Sequence, residues 1–179
     1  TTRIDGISIN CHEESQDAVE VYTEMFRFSQ HDIFRTGLEH IKRKIMKKIL
    51  TVGVYDLLHI GHVEVFRRAK QYGDYLTVAV QDSEVILKYK PEAKMVYTTE
   101  ERCYMVKSIR YVDNVVVYRD VSDIVQEVDF DVFVKGPDQV HEGFQKAVRW
   151  CEEHGKEVVV LPRTEGVSSS WLKETIKKM

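Results

Sequence analysis

Two histidines that stand three residues apart carry the strongest chemical signal in this sequence. His59 and His62 belong to the segment Gly53-Val-Tyr-Asp-Leu-Leu-His-Ile-Gly-His62, which joins an apolar run to a segment with helical spacing. The free backbone N–H groups of a helix N-terminus attract anions, and two imidazoles would add hydrogen-bond donors. Gly53 and Gly61 would let a phosphate approach the backbone. The pattern predicts a phosphate site whose imidazoles stabilise charge developing on a pentacoordinate phosphorus.

Other interpretations of this loop stay open at the level of sequence. Two histidines at this spacing could bind zinc, although no third or fourth ligand follows at a usable distance along the chain. They could also lie on the surface without a role. Asp56, inside the loop, could accept hydrogen bonds from the backbone of its own turn or could orient a ligand group.

A second candidate anion site lies near the C-terminus. Arg163 follows the apolar segment from Glu157 to Leu161 and opens a loop that leads to Ser168, Ser169 and Ser170 at the start of a helical pattern. Backbone N–H groups and hydroxyls at a helix N-terminus would suit the β- and γ-phosphates of a nucleotide. Simple N-capping by a serine would explain the hydroxyls alone, but it would leave Arg163 unexplained.

The elements that must position these residues follow a regular alternation. From Ile49 onward, short Val-rich runs alternate with helical segments, which is typical of βαβ units and a parallel sheet. We predict an α/β fold with a doubly wound parallel sheet of about five strands, where ligands bind beyond the carboxyl ends of the strands. The predicted strands are Lys48–Val54, Tyr75–Val80, Asn114–Tyr118, Val132–Lys135 and Glu157–Leu161, and the predicted helices are His62–Tyr72, Thr99–Ile109, Ser122–Val128, Glu142–His154 and Ser169–Lys178.

The residues before the sheet have a different pattern. Apolar side chains recur at three- and four-residue steps from Asp17 to about Lys48, which predicts two helices. We therefore divide the chain into a helical N-terminal extension, residues 1–46, and an α/β domain, residues 47–179. The basic run 41–48 could contact an anionic membrane surface or nucleic acid, but a solvated helix end is the simpler explanation, because charged runs on surface helices need no ligand.

Composition excludes several classes of protein. The chain has 179 residues, 43% of them hydrophobic, and its 26 Lys+Arg against 29 Asp+Glu give a formal net charge of -3. These values exclude a disordered chain and argue against a protein that coats nucleic acid. Three cysteines without C-x-x-C spacing predict a reducing cytoplasm, and no apolar run approaches the roughly 20 residues of a transmembrane helix.

Three segments together resemble the cytidylyltransferase-type nucleotidyltransferases, the superfamily with the HxGH motif. Gly53 to His62 is similar to that family's G-x-F-D-x-x-H-x-G-H signature. Arg163-Thr-Glu-Gly-Val-Ser-Ser169 resembles the R-T-E-G-[IV]-S-[ST] motif of the branch that makes CDP-alcohols, and Ile109-Arg-Tyr-Val-Asp113 matches its [IC]-R-Y-V-D segment. The motifs follow the family's order over about residues 48 to 179. The resemblance implies the Rossmann-like sheet of that superfamily.

The same resemblance implies an activity and a division of roles. An oxygen of a small alcohol phosphate would attack the α-phosphate of CTP in line, expelling magnesium pyrophosphate and leaving a CDP-alcohol. His59 and His62 would hold the α-phosphate and the leaving oxygens. Mg²⁺ would be carried mainly by the phosphates, with no metal ligand from the protein. Such a transfer depends on positioning and charge neutralisation.

The resemblance also assigns the other site residues. Lys90 and Arg163 join the two histidines as catalytic residues, and Lys90 is favoured over Lys88 and Lys94 as the phosphate-neutralising lysine of its loop. For Arg102 and Arg110, a salt bridge with one of the nearby carboxylates is the alternative; the candidates are Glu100, Glu101 and Asp113. The expected nucleotide-binding residues are Gly53, Val54, Tyr55, Asp56, Gly61, Lys88, Arg102, Arg110, Gly136, Asp138, Thr164, Glu165, Gly166, Val167, Ser168, Ser169 and Ser170.

The acceptor remains open between several alcohol phosphates. After Asp138 the chain continues Gln-Val-His-Glu-Gly143, without the aromatic residue that helps choline and ethanolamine enzymes enclose an amine. Tyr118-Arg-Asp-Val-Ser-Asp123 lacks the Trp and Lys of glycerol-phosphate enzymes. We expect glycerol 3-phosphate first, then ethanolamine or choline phosphate, then a sugar or polyol phosphate. A non-catalytic nucleotide-binding module is the alternative from another class. The family usually forms homodimers.

Overall fold

Five short, mostly apolar segments form a single parallel sheet in the computed structural model, which describes residues 3–4, 7–8, 46–89, 91–92 and 94–179. An antiparallel pair of two-residue strands, β1 and β2, comes first in the chain. The strands of the parallel sheet are ordered β5-β4-β3-β6-β7. In chain order the strands are β1 (Arg3–Ile4), β2 (Ile7–Ser8), β3 (Lys48–Gly53), β4 (Tyr75–Gln81), β5 (Asn114–Tyr118), β6 (Val132–Lys135) and β7 (Glu157–Val160).

The predicted α/β sheet is confirmed, and each of its strands ends within one residue of the predicted position. The three central strands are nearly continuous runs of buried side chains, because helices cover both faces of the sheet. Successive residues alternate between two apolar clusters: Ile49 and Val78 pack on one face, and Leu50 and Ala79 on the other.

The helices confirm five predicted segments and add one. The added helix, α2, follows β4 in a region that the sequence suggested to be a loop. It is only two turns long, too short for an apolar period to show, and it begins where Asp82 Oδ1 accepts from the backbone N–H of Glu84 at 3.0 Å. The helices are α1 (Ile60–Ala69, continued by a 3-10 turn at Lys70–Tyr72), α2 (Ser83–Tyr89), α3 (Thr99–Lys107), α4 (Val121–Glu127), α5 (Glu142–Glu153) and α6 (Ser169–Lys177).

Strand order fixes where a ligand can bind. The chain moves from β3 outward to β4 and β5, and then returns to add β6 and β7 on the other side of β3. The loops that follow β3 and β6 therefore diverge, and they leave a crevice at the carboxyl edge of the sheet. Both candidate anion loops, after β3 and after β7, lie at this edge.

The two helices predicted between Asp17 and Lys48 lie outside the described residues, except for residues 46–48, and the domain boundary stays a prediction.

Candidate active site

The two histidines form the N-terminal cap of α1. His59 is the N-cap residue, and its Nδ1 accepts from the backbone N–H of Gly61 at 3.1 Å. The Nδ1 of His62 accepts in return from the backbone N–H of His59 at 3.4 Å. This reciprocal arrangement is a capping box built from two imidazoles. It starts α1 at Ile60, two residues before the predicted start.

The cap also fixes where each ring carries its proton. A nitrogen that accepts a hydrogen bond uses its lone pair, so the proton of the neutral imidazole lies on Nε2 in both histidines. The rings stack with their centroids 3.9 Å apart, and among the described residues neither Nε2 has a hydrogen-bond partner. His59 and His62 therefore present two N–H donors that a phosphate can accept.

Burial keeps both rings neutral. Burial, and to a smaller extent the neighbouring His59, lower the pKa of His62 from 6.5 to about 4. Burial also lowers the pKa of His59. At neutral pH the pair is thus uncharged before a ligand arrives, and its donors can align with a phosphate without first losing a proton.

The lowered pKa predicts a specific loss of stability in acid. Between pH 6.5 and about 4 the unfolded chain protonates His62 and the folded chain does not, so the free energy of unfolding falls as the pH falls through this window. The contribution of this group is on the order of 2–3 kcal/mol. His62→Gln keeps a hydrogen-bond acceptor at this capping position but does not titrate, so urea unfolding at pH 7 and pH 4.5 should show a smaller difference for the variant than for the original chain. Equal differences would contradict the assignment.

Gly53 and Tyr55 shape the loop for a structural reason. A Cβ on Gly53 would lie 2.6 Å from Cζ of Tyr55, so the glycine makes room for that ring. Tyr55 has a positive φ of 56° and is buried, with its ring 5.2 Å from the ring of His62, edge to face. The tyrosine ring therefore packs against the histidine pair, and the absence of a side chain at Gly53 makes room for this ring.

Asp56 bonds to a distant segment instead of its own turn. Its Oδ1 accepts from the backbone N–H groups of Val96 and Tyr97 at 2.9 and 3.0 Å. The side chain is buried. The first loop is thus tied to the residues that precede α3, an arrangement that neither interpretation from sequence contained.

The loops after β6 and β7 meet through an ion pair. Arg163 donates from Nε to Oδ1 of Asp138 at 3.1 Å and from Nη2 to the other carboxylate oxygen. The pairing raises the pKa of Arg163 and lowers that of Asp138. The Arg163 side chain is 66% exposed, so its guanidinium is accessible to a ligand in the crevice.

Gln139, which the sequence analysis did not single out, joins the loop after β6 to the central strand. Its Oε1 accepts from the backbone N–H of Gly136 at 2.7 Å, and its Nε2 donates to the carbonyl of Val52 at 3.1 Å. No motif or spacing marks this residue, because its two partners are brought together by the pairing of β3 with β6.

The second motif packs directly on the first. A Cβ on Gly61 would lie 3.1 Å from Cγ1 of Val167, which places the loop before α6 against the start of α1. Ser168 is the N-cap of α6, and its Oγ accepts from the backbone N–H of Trp171 at 3.1 Å. N-capping thus accounts for Ser168. The backbone at Gly166 has a φ of 75°, a conformation that favours glycine because it has no Cβ.

The other members of this motif differ in environment. Glu165 and Ser170 are exposed, and Ser169 is half-buried. The Oγ1 of Thr164 is buried without a hydrogen-bond partner among the described residues.

Arg102 lies at the carboxyl edge but points its guanidinium into the protein. It is 0% exposed, and Nη1 donates to the carbonyls of Val54 and Gln81 at 2.7 and 2.8 Å. Nη2 donates to the hydroxyls of Ser83 and Thr99 at 2.6 and 3.1 Å. The side chain therefore joins the ends of β3 and β4 to two helices. This differs from both the expected phosphate contact and the alternative salt bridge.

The structure places Arg110 away from the other candidate residues. Helix α3 begins at the carboxyl edge and runs to the amino edge, where the backbone N–H of Asp113 donates to the carbonyl of Leu76 at 3.0 Å. Arg110 lies in the exposed turn just before this bond, with its Cζ 5.5 Å from the ring centroid of Tyr111. The expectation that Arg110 lies beside the phosphates is not supported by this position.

The lysine segment can be described only in part. Lys88 occupies the last turn of α2 and Lys94 is exposed in the segment that follows. Lys90, the favoured phosphate-neutralising lysine, lies outside the described residues.

The described residues contain neither a metal-binding cluster nor a membrane-spanning helix. No group of three or more His, Cys, Asp or Glu side chains in this part of the chain could hold a metal ion. No helix formed by these residues is both long and apolar enough to cross a bilayer.

Most of the α/β domain is similar in sequence to known proteins. Residues 50–175 match the sequence model of the family described as Cytidylyltransferase-like. The chain is 42% identical over 135 residues to a glycerol-3-phosphate cytidylyltransferase of Staphylococcus aureus, covering 73% of this chain and 96% of the relative. It is also 42% identical to the enzyme of the same name from Bacillus subtilis, covering 73% of this chain and 98% of that relative.

A solved structure is similar in fold. The lipopolysaccharide core biosynthesis protein of Thermoplasma volcanium matches with a TM-score of 0.54 and 22% identity, over 66% of this chain and 97% of that one. At this level of identity the match concerns the arrangement of strands and helices alone.

Proposed function

Because the chain belongs to the cytidylyltransferase-like family, we propose that it transfers the cytidylyl group of CTP to a small alcohol phosphate, with glycerol 3-phosphate as the first candidate acceptor. The observation that carries this function is the pair of neutral, stacked imidazoles at the start of α1, which leaves two Nε2–H donors available to a phosphate. The glycerol-phosphate acceptor is supported by the names of the two relatives that are 42% identical to this chain.

The residues of the crevice suit an in-line transfer. An oxygen of the acceptor phosphate forms a bond to the α-phosphorus of CTP while the bond from that phosphorus to the bridging oxygen of pyrophosphate breaks. Negative charge grows on the non-bridging and leaving oxygens, where His59 and His62 can donate from Nε2. No proton has to leave the imidazoles for these hydrogen bonds to form.

The second motif would supply the positive charge. Arg163 is accessible, and its present partner is the exposed carboxylate of Asp138. A triphosphate offers a guanidinium a stronger set of acceptors than one carboxylate in water, so Arg163 would exchange Asp138 for phosphate oxygens. The backbone N–H groups at the start of α6 lie beside this arginine in sequence and add to the anion site.

Mg²⁺ is proposed to enter with CTP, bound to its phosphate oxygens. The ion would neutralise charge on the departing pyrophosphate. A homodimer is proposed from the family resemblance. A cytoplasmic location is proposed because Cys103 and Cys151 are free thiols.

Pyrophosphate release tests the function directly. CTP and ATP are each combined with glycerol 3-phosphate, ethanolamine phosphate, choline phosphate and several sugar phosphates, with Mg²⁺ or with EDTA. We expect release with CTP and glycerol 3-phosphate, and its loss when EDTA removes the metal. Release with another acceptor would change the substrate but keep the reaction. A folded chain that binds CTP and releases nothing with any acceptor would contradict the proposed activity.

A further inference from the structure

A lysine outside both motifs holds the two candidate anion loops together. Lys173 lies in α6, about one turn after the serines of the second motif. Its Nζ is 3.6 Å from Oδ2 of Asp56 in the first motif, and it donates to the backbone carbonyl of Lys94 at 3.3 Å. One ammonium group therefore contacts the loop after β3, the segment before α3 and the helix after β7.

Asp56 needs a positive partner at this place. Its side chain is only 8% exposed, and Oδ2 is buried without a hydrogen bond among the described residues. A carboxylate removed from water is costly unless a positive charge and hydrogen bonds compensate it. Oδ1 is satisfied by the amides of Val96 and Tyr97, whereas the ion pair of Oδ2 within 4 Å is with Lys173. The guanidinium of Arg102 adds a second positive charge from inside the protein.

The contacts place Lys173 where it can set the distance between the loops. The second motif and the helix that follows it touch the first motif at two points, Val167 of the loop against Gly61 and Lys173 of α6 against Asp56. In the chain, Asp56 and Gly61 lie on either side of His59. A segment held at two points has less freedom to slide or rotate relative to the loop on which it rests.

We propose that Lys173 is a positioning residue that keeps the second motif and residues 94–97 in register with the first motif, and so sets the affinity for the nucleotide. This inference rests on the proposed function for its effect on CTP. The positioning itself is independent of catalysis, because it concerns contacts within the protein that exist before any ligand binds.

The test compares Lys173→Met with Lys173→Arg in the full chain. Methionine keeps the apolar stem but loses the charge and the donors, so the backbone amides of Val96 and Tyr97 should exchange hydrogen about tenfold faster. KM for CTP should rise about tenfold while kcat changes less than about twofold, since the loss concerns binding rather than the reacting groups. Arginine keeps the charge and should restore values near those of the original chain.

Lys177→Met is the matched control, because Lys177 lies one turn later in α6 and pairs only with the exposed Glu174 among the described residues. It should change neither readout. In an Asp56→Asn background, which removes the partner charge, Lys173→Met should have little further effect on amide exchange.

Three results would overturn the inference. Unchanged exchange of the two amides in Lys173→Met would show that the lysine does not hold this segment. Faster exchange with an unchanged KM, or an unchanged dissociation constant for CTP measured by calorimetry, would separate the contact from nucleotide binding. An equal effect of Lys177→Met would indicate general loosening of α6. Because amide exchange needs no turnover, failure of the proposed reaction and failure of this inference remain distinguishable.

Discussion

Replacing either histidine of the pair with a residue that keeps its capping hydrogen bond should lower kcat by about 10²- to 10⁴-fold. Asparagine at position 59 can cap α1, because its side-chain oxygen can accept from a backbone N–H as Nδ1 of His59 does. Glutamine at position 62 can complete the capping box in the same way. Both His59→Asn and His62→Gln remove the Nε2–H donor from its ring position, and steady-state release of pyrophosphate measures the loss.

The control for this prediction is a histidine elsewhere in the chain. His154 is exposed at the C-terminal end of α5, so His154→Gln makes the same chemical change outside the crevice and should leave kcat unchanged. Circular dichroism and urea unfolding at pH 7 should show that all three variants stay folded. If both His59→Asn and His62→Gln keep kcat within tenfold of the original chain, the two Nε2–H donors do not take part in the mechanism.

Replacing Arg102 with methionine should lower the free energy of unfolding by about 3–5 kcal/mol. The guanidinium is fully buried and donates to the carbonyls of Val54 and Gln81 and to two hydroxyls. Methionine fills part of the volume but leaves those buried acceptors without donors, and each unsatisfied group is costly. Urea unfolding at pH 7, followed by circular dichroism, measures the change.

Arg110→Met is the matched control, because it removes the same functional group from an exposed turn, and it should change stability by less than about 0.5 kcal/mol. Arg102→Lys should lower the free energy of unfolding by less than Arg102→Met and by more than Arg110→Met. One ammonium group cannot reproduce the planar guanidinium that reaches both strand ends. If Arg102→Met unfolds like the original chain and only KM for CTP rises, the arginine acts on the nucleotide directly, as the family resemblance implied, and the structural role is wrong.

Sequence alone determined the features that depend on neighbouring residues. The strands can be predicted because each is a short, mostly apolar run. Five helices can be predicted because their apolar residues recur with the helical period. The chemistry of the first motif was also local: His59 and His62 interact with each other and with the backbone between them, so their spacing contains most of the geometry. The short helix α2 was missed because two turns give too little periodicity.

Tertiary structure decided what each remaining polar side chain contacts. Arg102, Asp56 and Gln139 all bond to groups that are tens of residues away in sequence. Residue type indicates that such a side chain can donate or accept, but its partner is chosen by strand order and by the packing of helices on the sheet. The position of Arg110 was also decided by tertiary structure. It follows α3 by only a few residues, and because α3 crosses the sheet, Arg110 lies at the edge opposite the histidines. The ends of the strands, brought together only by folding, determine which polar residues of the motifs meet in the crevice.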